Sequence, residues 1–439
     1  VYLIANRFHE YSRPAGKARA YAFLRQPDPN LAARYLEATA QYLDMYGRLI
    51  GPYPFSKFAL VENFWETGYG MPSFTLLGPR VIRMPFILHS SYPHEILHNW
   101  WGNSVYVDWA TGNWCEGLTA YLADHLVKEG QKRGVEYRYD TLKKYRSYVR
   151  GTREFPLFEF RSRSSGASEA IGYGKALMVF HMLRQELGDE GFTRAVRTFY
   201  REHRWTQASW ADVEAVFSEV AGRDLSGYFE QWVLRTGAPA LEAKVEAGEA
   251  GRRLVRIRQT QEGEPYRLRV PVALTDRAGE VSRTVVDLET ETTLDLPEGI
   301  VRVDVDPQFD VFRRLALAET PPTISELFGA ERVTLVLPAE GADPLAAAWR
   351  GFAAAWQRGA GGQVEVVAED ALETLPADRA VWVLGAHNRW QSALAPALEA
   401  WSAGVDAERA DFGETHVPRA GHAFVYLSLI HISEPTRRA

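Results

Sequence analysis

The chain has one cysteine, Cys115, in 439 residues, so no disulfide can form within it. It has no apolar run as long as the ~18 residues that a membrane-spanning helix needs, so no transmembrane segment is expected. It has no excess of positive charge: 50 Lys and Arg stand against 56 Asp and Glu, a formal net charge of −6. A nucleic-acid binder shows a basic patch or stripe, so no nucleic-acid partner is expected. No convincing internal repeat is visible. What remains is a globular composition, 46% hydrophobic and 12% aromatic, sufficient for a sizeable core. The length alone suggests about three domains.

Against that background one stretch stands out. HEILHNWWGN begins at His94 and sets His94, Glu95 and His98 in HExxH spacing. Residues four apart share one face of a helix, so both imidazoles are expected to aim at one point. Glu95 sits beside that point and can reach a water held there. Hydrolytic zinc takes three protein ligands and keeps a fourth position open. Glu116, in the downstream segment NWCEGLTAY, offers the third ligand from the start of a following helix. The expectation is one Zn²⁺ per chain on His94, His98 and Glu116, with Glu95 as general base. The plain alternative is a surface helix with two chance histidines, because HExxH fixes only three residues. The carboxylate one helix later argues against it. Cys115 is expected to be a small core residue.

Around this stretch the chain reads as multidomain α+β. Residues 1–26 carry strand-like segments (VYLIANRF, ARAYAFLRQ) and look like the closing strands of a β-domain. From Leu31 the apolar residues Tyr35, Leu36, Tyr42, Leu43 and Tyr46 recur at helical period, with Asn30 as N-cap and Gly51-Pro52 as the stop. PFSKFALVENFW is a strand, and ETGYGMPSFTLLG a loop leading into an edge strand. A substrate backbone could pair with such an edge by strand addition; an ordinary turn is the equal alternative. Ser91 and Pro93 mark the start of the histidine helix. Cys115 to Lys128 forms the return helix, with Leu118, Tyr121, Leu122 and Leu126 buried. From 133 to 235 five helical stripes form a bundle, completing a domain over 27–238.

After Gly237-Ala238-Pro239 the period changes to two, and six short alternating strands predict a β-sandwich over 239–316. From 317 to 427 strands and helices alternate, with helices near 344–358 and 389–403, as in a partial parallel α/β domain. GAGG at 359–362 precedes a strand rather than a helix, so it is not a phosphate loop. The ends look like cuts. Val1 falls inside strand-like sequence, and SLIHISEPTRRA resembles a translated sequencing-library adapter, so 428–439 are set aside. His431 is therefore no ligand candidate, and the compartment stays open.

HEILHNWWGN, NWCEGLTAY and IGYGKALMVFHML together resemble the M1 family of zinc peptidases, the gluzincin aminopeptidases, over roughly 1–240. The resemblance implies a thermolysin-like catalytic domain, peptide substrates and one Zn²⁺. It gives Glu116 the role of third ligand, although seventeen residues separate it from His98 where the family has one more. It makes Tyr173 the donor to the oxyanion formed during hydrolysis. His181, in the same helix, is expected to be packing. The sandwich resembles the family's small third domain; the segment after 320 does not resemble its helical C-terminal domain.

One departure matters. M1 aminopeptidases carry a GxMEN segment whose glutamate grips the substrate's free amino group. Here the stretch is Gly68-Tyr69-Gly70-Met71-Pro72, the expected substrate-binding segment, with Met71 where that glutamate stands. Glu62, in the VEN at 61–63, lies too early to replace it. Glu66 or Glu169 are the candidate substitutes. The family therefore implies an aminopeptidase-like zinc hydrolase. Two alternatives stand beside it: a zinc peptidase that needs no free N-terminus, and a non-catalytic peptide-binding scaffold.

Overall fold

A computed structural model describes residues 2–427 apart from 67, 249–251, 317–318, 321–322, 342, 360–361, 395–397, 399–402, 407, 419 and 423. The tail from Ser428, with His431, lies outside the described residues. The chain forms two compact units, Val1–Tyr145 with Gly151–Arg314 and Arg146–Arg150 with Leu315–Ala439. Among the described residues no helix is long and apolar enough to cross a membrane.

The first unit is built on a five-stranded mixed sheet from β1 (His9–Ala15), β2 (Ala18–Leu24), β3 (Lys57–Glu62), β4 (Gly68–Met71) and β5 (Phe74–Leu77), in the order β1-β2-β3-β5-β4. Residues 1–26 do not stand apart from it. β2 runs parallel to β3 with Arg19 opposite Lys57, so the first two strands belong to the same sheet as the strands that follow. The first strand also begins at His9, past all of VYLIANRF. β4 was expected as loop. It forms an antiparallel hairpin with β5 across Pro72-Ser73, with Met71 opposite Phe74, and Ser73 takes a positive φ of 67° to make the turn. That leaves β4 as a free edge.

Helix α1 (Pro29–Leu49) crosses this sheet and buries Leu31, Tyr35, Leu36, Leu43 and Tyr46. Its cap is Asp28 rather than Asn30: the Asp28 carboxylate accepts from the Leu31 amide at 2.9 Å. Pro29 then occupies the first turn, where its missing N–H costs nothing. The buried face meets α2 (Ser91–Leu97), where Tyr92 sets its ring edge-on to Tyr35 at 4.8 Å. Ser91 is the first residue of α2 and not its cap; Ser90 precedes the helix and makes no side-chain cap bond. Two short strands, β6 (Tyr106–Val107) and β7 (Gln207–Ala208), pair in parallel. After β6 the chain enters α3 (Cys115–Ala120), which opens where the Asn113 side chain accepts from the Cys115 amide at 3.0 Å.

The return helix is not regular. A π-helical turn at Tyr121–His125 separates α3 from α4 (Leu126–Gly130), and Leu126 is only half-buried. The bundle follows as α5 (Gly134–Tyr148), α6 (Gly166–Glu169), a π-helical turn at Ala170–Lys175, α7 (Ala176–His203), α8 (Trp210–Ala221) and α9 (Ser226–Phe229). Gly188, at φ 70°, kinks α7 and divides the two stripes read from sequence. Six strands complete the unit: β8 (Leu241–Ala247), β9 (Arg253–Gln259), β10 (Leu268–Asp276), β11 (Val281–Leu288), β12 (Glu291–Leu296) and β13 (Ile300–Val305). They form two antiparallel sheets, β12-β9-β8 and β11-β10-β13.

The second unit holds α10 (Ile324–Gly329), a parallel sheet of β14 (Arg332–Leu337), β15 (Gln363–Ala368) and β16 (Ala380–Val383), and α11 (Ala346–Gly359). β14 is central, and Leu335 and Val333 pack with Ala353, Leu384 and three tryptophans, 349, 356 and 382. The helix expected near 389–403 starts as a tight turn at Arg389–Leu394, and most of its later part lies outside the described residues. An unexpected antiparallel trio follows: β17 (Ala403–Val405), β18 (Arg409–Phe412) and β19 (Thr415–Pro418).

Candidate metal centre

α2 is two-faced. Tyr92, Pro93, Ile96 and Leu97 are buried in the core, and the tryptophans that follow, Trp100 and Trp101, are fully buried. That anchorage turns His94, Glu95 and His98 to the opposite side. The histidine rings lie 4.8 Å apart. Each imidazole is fixed through its Nδ1. His94 Nδ1 lies 2.6 Å from Asp124 Oδ2, and His98 Nδ1 lies 3.2 Å from the Trp101 carbonyl. A carbonyl and a carboxylate only accept, so each Nδ1 carries a proton and each Nε2 is the atom left to offer a lone pair once it gives up its own. The chain must turn sharply after His98 to bring Glu116 back. Gly102, at φ 95°, makes that turn, and a Cβ there would press on Cys115 Sγ at 3.1 Å.

Glu116 Oε2 lies 3.4 Å from His94 Nε2 and 3.5 Å from His98 Nε2. It is buried and has no hydrogen-bond partner. Two ring nitrogens and a carboxylate oxygen thus face one another at separations longer than ordinary hydrogen bonds. A tetrahedral ion with ligands at about 2.0–2.2 Å requires donor separations of about 3.3–3.6 Å, so the three residues fit Zn²⁺. His94, His98 and Glu116 also form a group whose ligand atoms all lie within 4.8 Å of one another. The field agrees. Burial alone would push the His94 imidazole down, but Asp124 and Glu116 hold it up at about 10. Burial of Glu116 is likewise outweighed by the imidazoles, which hold its carboxyl well below the usual range. The site is built to gather positive charge.

Glu95 stands at the opening of this cluster. Burial raises its carboxyl above the usual value. Gly70 of the edge strand passes directly over it: a Cβ at Gly70 would lie 2.7 Å from Glu95 Oε2 and 3.1 Å from His98. Gly68, Tyr69 and Gly70 line a cavity of about 980 Å³ shared with His94, Glu95, His98, Glu116 and Tyr173. Met71 does not line it. Its side chain packs instead with Ala59, Val61 and Leu76 beside the sheet. Glu62 is buried against Arg83 at 2.8 Å and the Arg25 amide at 2.7 Å, which makes it structural. Glu66 and Glu169 do line the cavity, and both already hold cations. Glu66 accepts from Arg80 Nε at 2.9 Å, and Glu169 pairs with Lys144 at 3.2 Å.

Tyr173 enters from the π-helical turn before α7. Its ring lies 6.2 Å from His94 and nearly parallel to it. Burial and the Glu116 carboxylate push the phenol up, so it keeps its proton at neutral pH and can donate. Gly172 beside it leaves room for the Phe160 ring, which packs edge-on to Tyr173 at 6.0 Å. Cys115 is buried, as expected, and its Sγ lies 3.5 Å from His98 Nδ1. His181 is a satisfied core histidine between the Tyr121 hydroxyl at 3.2 Å and Asp310 at 2.9 Å.

Two supporting residues were not read from sequence. Asp124, which orients His94, lies eight positions after Glu116, where an ideal helix would turn it away. Asn99 accepts from the Ser73 amide at 2.7 Å, fastening the turn of the β4–β5 hairpin to the end of the histidine helix. Nothing short of a local contact map marks either one.

Residues 89–232 match the model of the Peptidase family M1 domain. The chain is 26% identical over 170 residues to aminopeptidase N of Lactococcus lactis subsp. lactis, covering 35% of this chain and 19% of that protein. It is 24% identical over 233 residues to alanine/arginine aminopeptidase of Saccharomyces cerevisiae, covering 49% and 26%. It is 22% identical over 215 residues to leucyl aminopeptidase of Saccharolobus solfataricus, covering 45% and 26%. The chain thus spans 19 to 26% of the length of these curated relatives.

Proposed function

We infer that this chain, which carries a peptidase family M1 domain, hydrolyses peptide bonds with one zinc ion held by His94, His98 and Glu116. The fold reading is a thermolysin-like catalytic domain with its helical bundle, then a β-sandwich, then a partial α/β domain. When bound, the zinc supplies Lewis acidity toward water and the scissile carbonyl. Glu95, with its carboxyl raised by burial, accepts a proton from the attacking water and later delivers it to the leaving amine. Tyr173 donates to the carbonyl oxygen as negative charge develops there. The free edge of β4 pairs with the substrate backbone by strand addition, and Gly68 and Gly70 permit that approach because they carry no side chain.

The observation that carries the reading is the convergence of three ligand atoms, an unpartnered buried oxygen among them, with Glu95 and Tyr173 on one cavity. The relatives' names point to aminopeptidase-like action on the substrate's first residue. One feature favours the alternative of a peptidase that needs no free N-terminus. Position 71 faces away from the cavity, and both substitute carboxylates are already paired with cations. The scaffold alternative is disfavoured, because ligands, base and phenol are all present. Glu95→Gln tests the mechanism. It should keep a full complement of zinc and lose about 10²–10⁴ in turnover; normal turnover in that variant would sink the mechanism. Cleavage of one peptide with free and acetylated N-termini separates the exopeptidase from its alternative.

A further inference from the structure

Beyond the metal site, the same cavity carries a second cluster of charge. Lys144 lies on the face of α5 that also carries Tyr137 and Thr141, and all three line the cavity. Arg163 comes from the loop before α6, and Glu169 ends α6. Lys144 Nζ meets Glu169 Oε1 at 3.2 Å and Arg163 Nη1 meets Glu169 Oε2 at 3.5 Å, so one carboxylate bridges two cations. The trio sums to +1. The Lys144 ammonium has three donors and the Arg163 guanidinium five, more than their contacts with Glu169 use. The side chains of Lys144 and Arg163 are 57% and 62% exposed, so an incoming group can reach them. Arg163 lines the same cavity as Tyr173, and its charge acts on that phenol.

A carboxylate held by two cations is a poor anchor for a substrate ammonium, since a third cation would join the same two oxygens. The surplus donors beside it suit an anion. Resting on the peptidase reading above, we propose that Lys144 and Arg163, braced by Glu169, recognise a substrate carboxylate near the scissile bond, so that the site prefers acidic over neutral peptides. The carboxylate is either an Asp or Glu side chain or the peptide's C-terminus. Glu169 holds the two cations at a fixed spacing and is a positioning residue.

The test measures binding to the Glu95→Gln protein loaded with zinc, so it does not depend on turnover. The probes are peptides of matched sequence bearing Glu or Gln at each position in turn, each as free acid and as C-terminal amide. The expected preference for the carboxylate form is about fivefold or more at low salt, shrinking as ionic strength rises. The position or terminus at which it occurs identifies the source. In Lys144→Gln/Arg163→Gln the preference should fall to about one, and Lys144→Arg should retain it. Glu169→Gln keeps the shape but no longer braces the two cations, so the preference should weaken; an unchanged preference would contradict the bracing. Equal binding of acid and neutral peptides, or a preference untouched by the double substitution, overturns the proposal. So does a Glu169→Gln protein that loses affinity only for peptides with a free N-terminus, because Glu169 would then be the amine anchor. Hydrolysis of a neutral peptide by the wild-type protein tests the peptidase reading separately.

Discussion

Asp124 does more for the candidate metal site than its distance in sequence suggests. By accepting from His94 Nδ1 at 2.6 Å it sets the ring's tautomer and orientation, and its charge makes the Nε2 lone pair more basic. Asp124→Asn keeps the shape and removes the charge. It should weaken zinc binding about 10- to 100-fold, measured by competition with a chelator; unchanged affinity would mean that Asp124 merely packs. Tyr173→Phe acts on a different step. It should lower kcat about 10²- to 10³-fold while zinc content and KM hold, and a rise in KM alone would contradict the assigned role. The sequence displayed the histidines and Glu95 because all three lie within one turn and a half of one helix. Tyr173, 57 positions past Glu116, could be singled out only by resemblance.

At the scale of elements, the π-helical turns decide which side chains meet. Two turns of ordinary helix span about seven residues. One wide turn takes in an extra residue, so position eight returns to the starting face. That is how Asp124 comes to share a face with Glu116 across Tyr121–His125, and why 3.6-residue periodicity hid it. The edge hairpin was obscured for another reason. Glycine and proline in GYGMPS mark a turn, and the pairing of β4 with β5 depends on contacts outside that stretch, from Asn99 and from Lys57, which reaches Ser73 Oγ at 2.8 Å. Close approach also constrains the second π-turn. Gly172→Ala would drive a methyl into the buried Phe160 ring. The expected loss is about 1–3 kcal/mol, a fall of about 2–10 °C in the unfolding midpoint. An unchanged midpoint would show that Phe160 can move aside.

At the scale of the whole molecule, the helical region and the two antiparallel sheets after it share one unit, and the loop after β13 reaches back into the bundle. Asp310 accepts from His181 Nε2 at 2.9 Å and pairs with Arg138 at 3.0 Å, and Arg138 bonds His125 Nε2 at 2.8 Å. Taking one partner from so buried a network leaves a charge uncompensated. Period two revealed the six strands of that region, yet it carried no sign that residue 310 would satisfy residue 181. The central claim concerns the metal. Strip the purified protein with a chelator, add zinc back in measured steps, and follow both bound metal and peptide hydrolysis. The account predicts that activity rises with zinc and levels off at about one ion per chain, and that His94→Ala neither binds nor recovers. Hydrolysis that survives complete removal of the metal, or a His94→Ala protein that regains full activity, would contradict it.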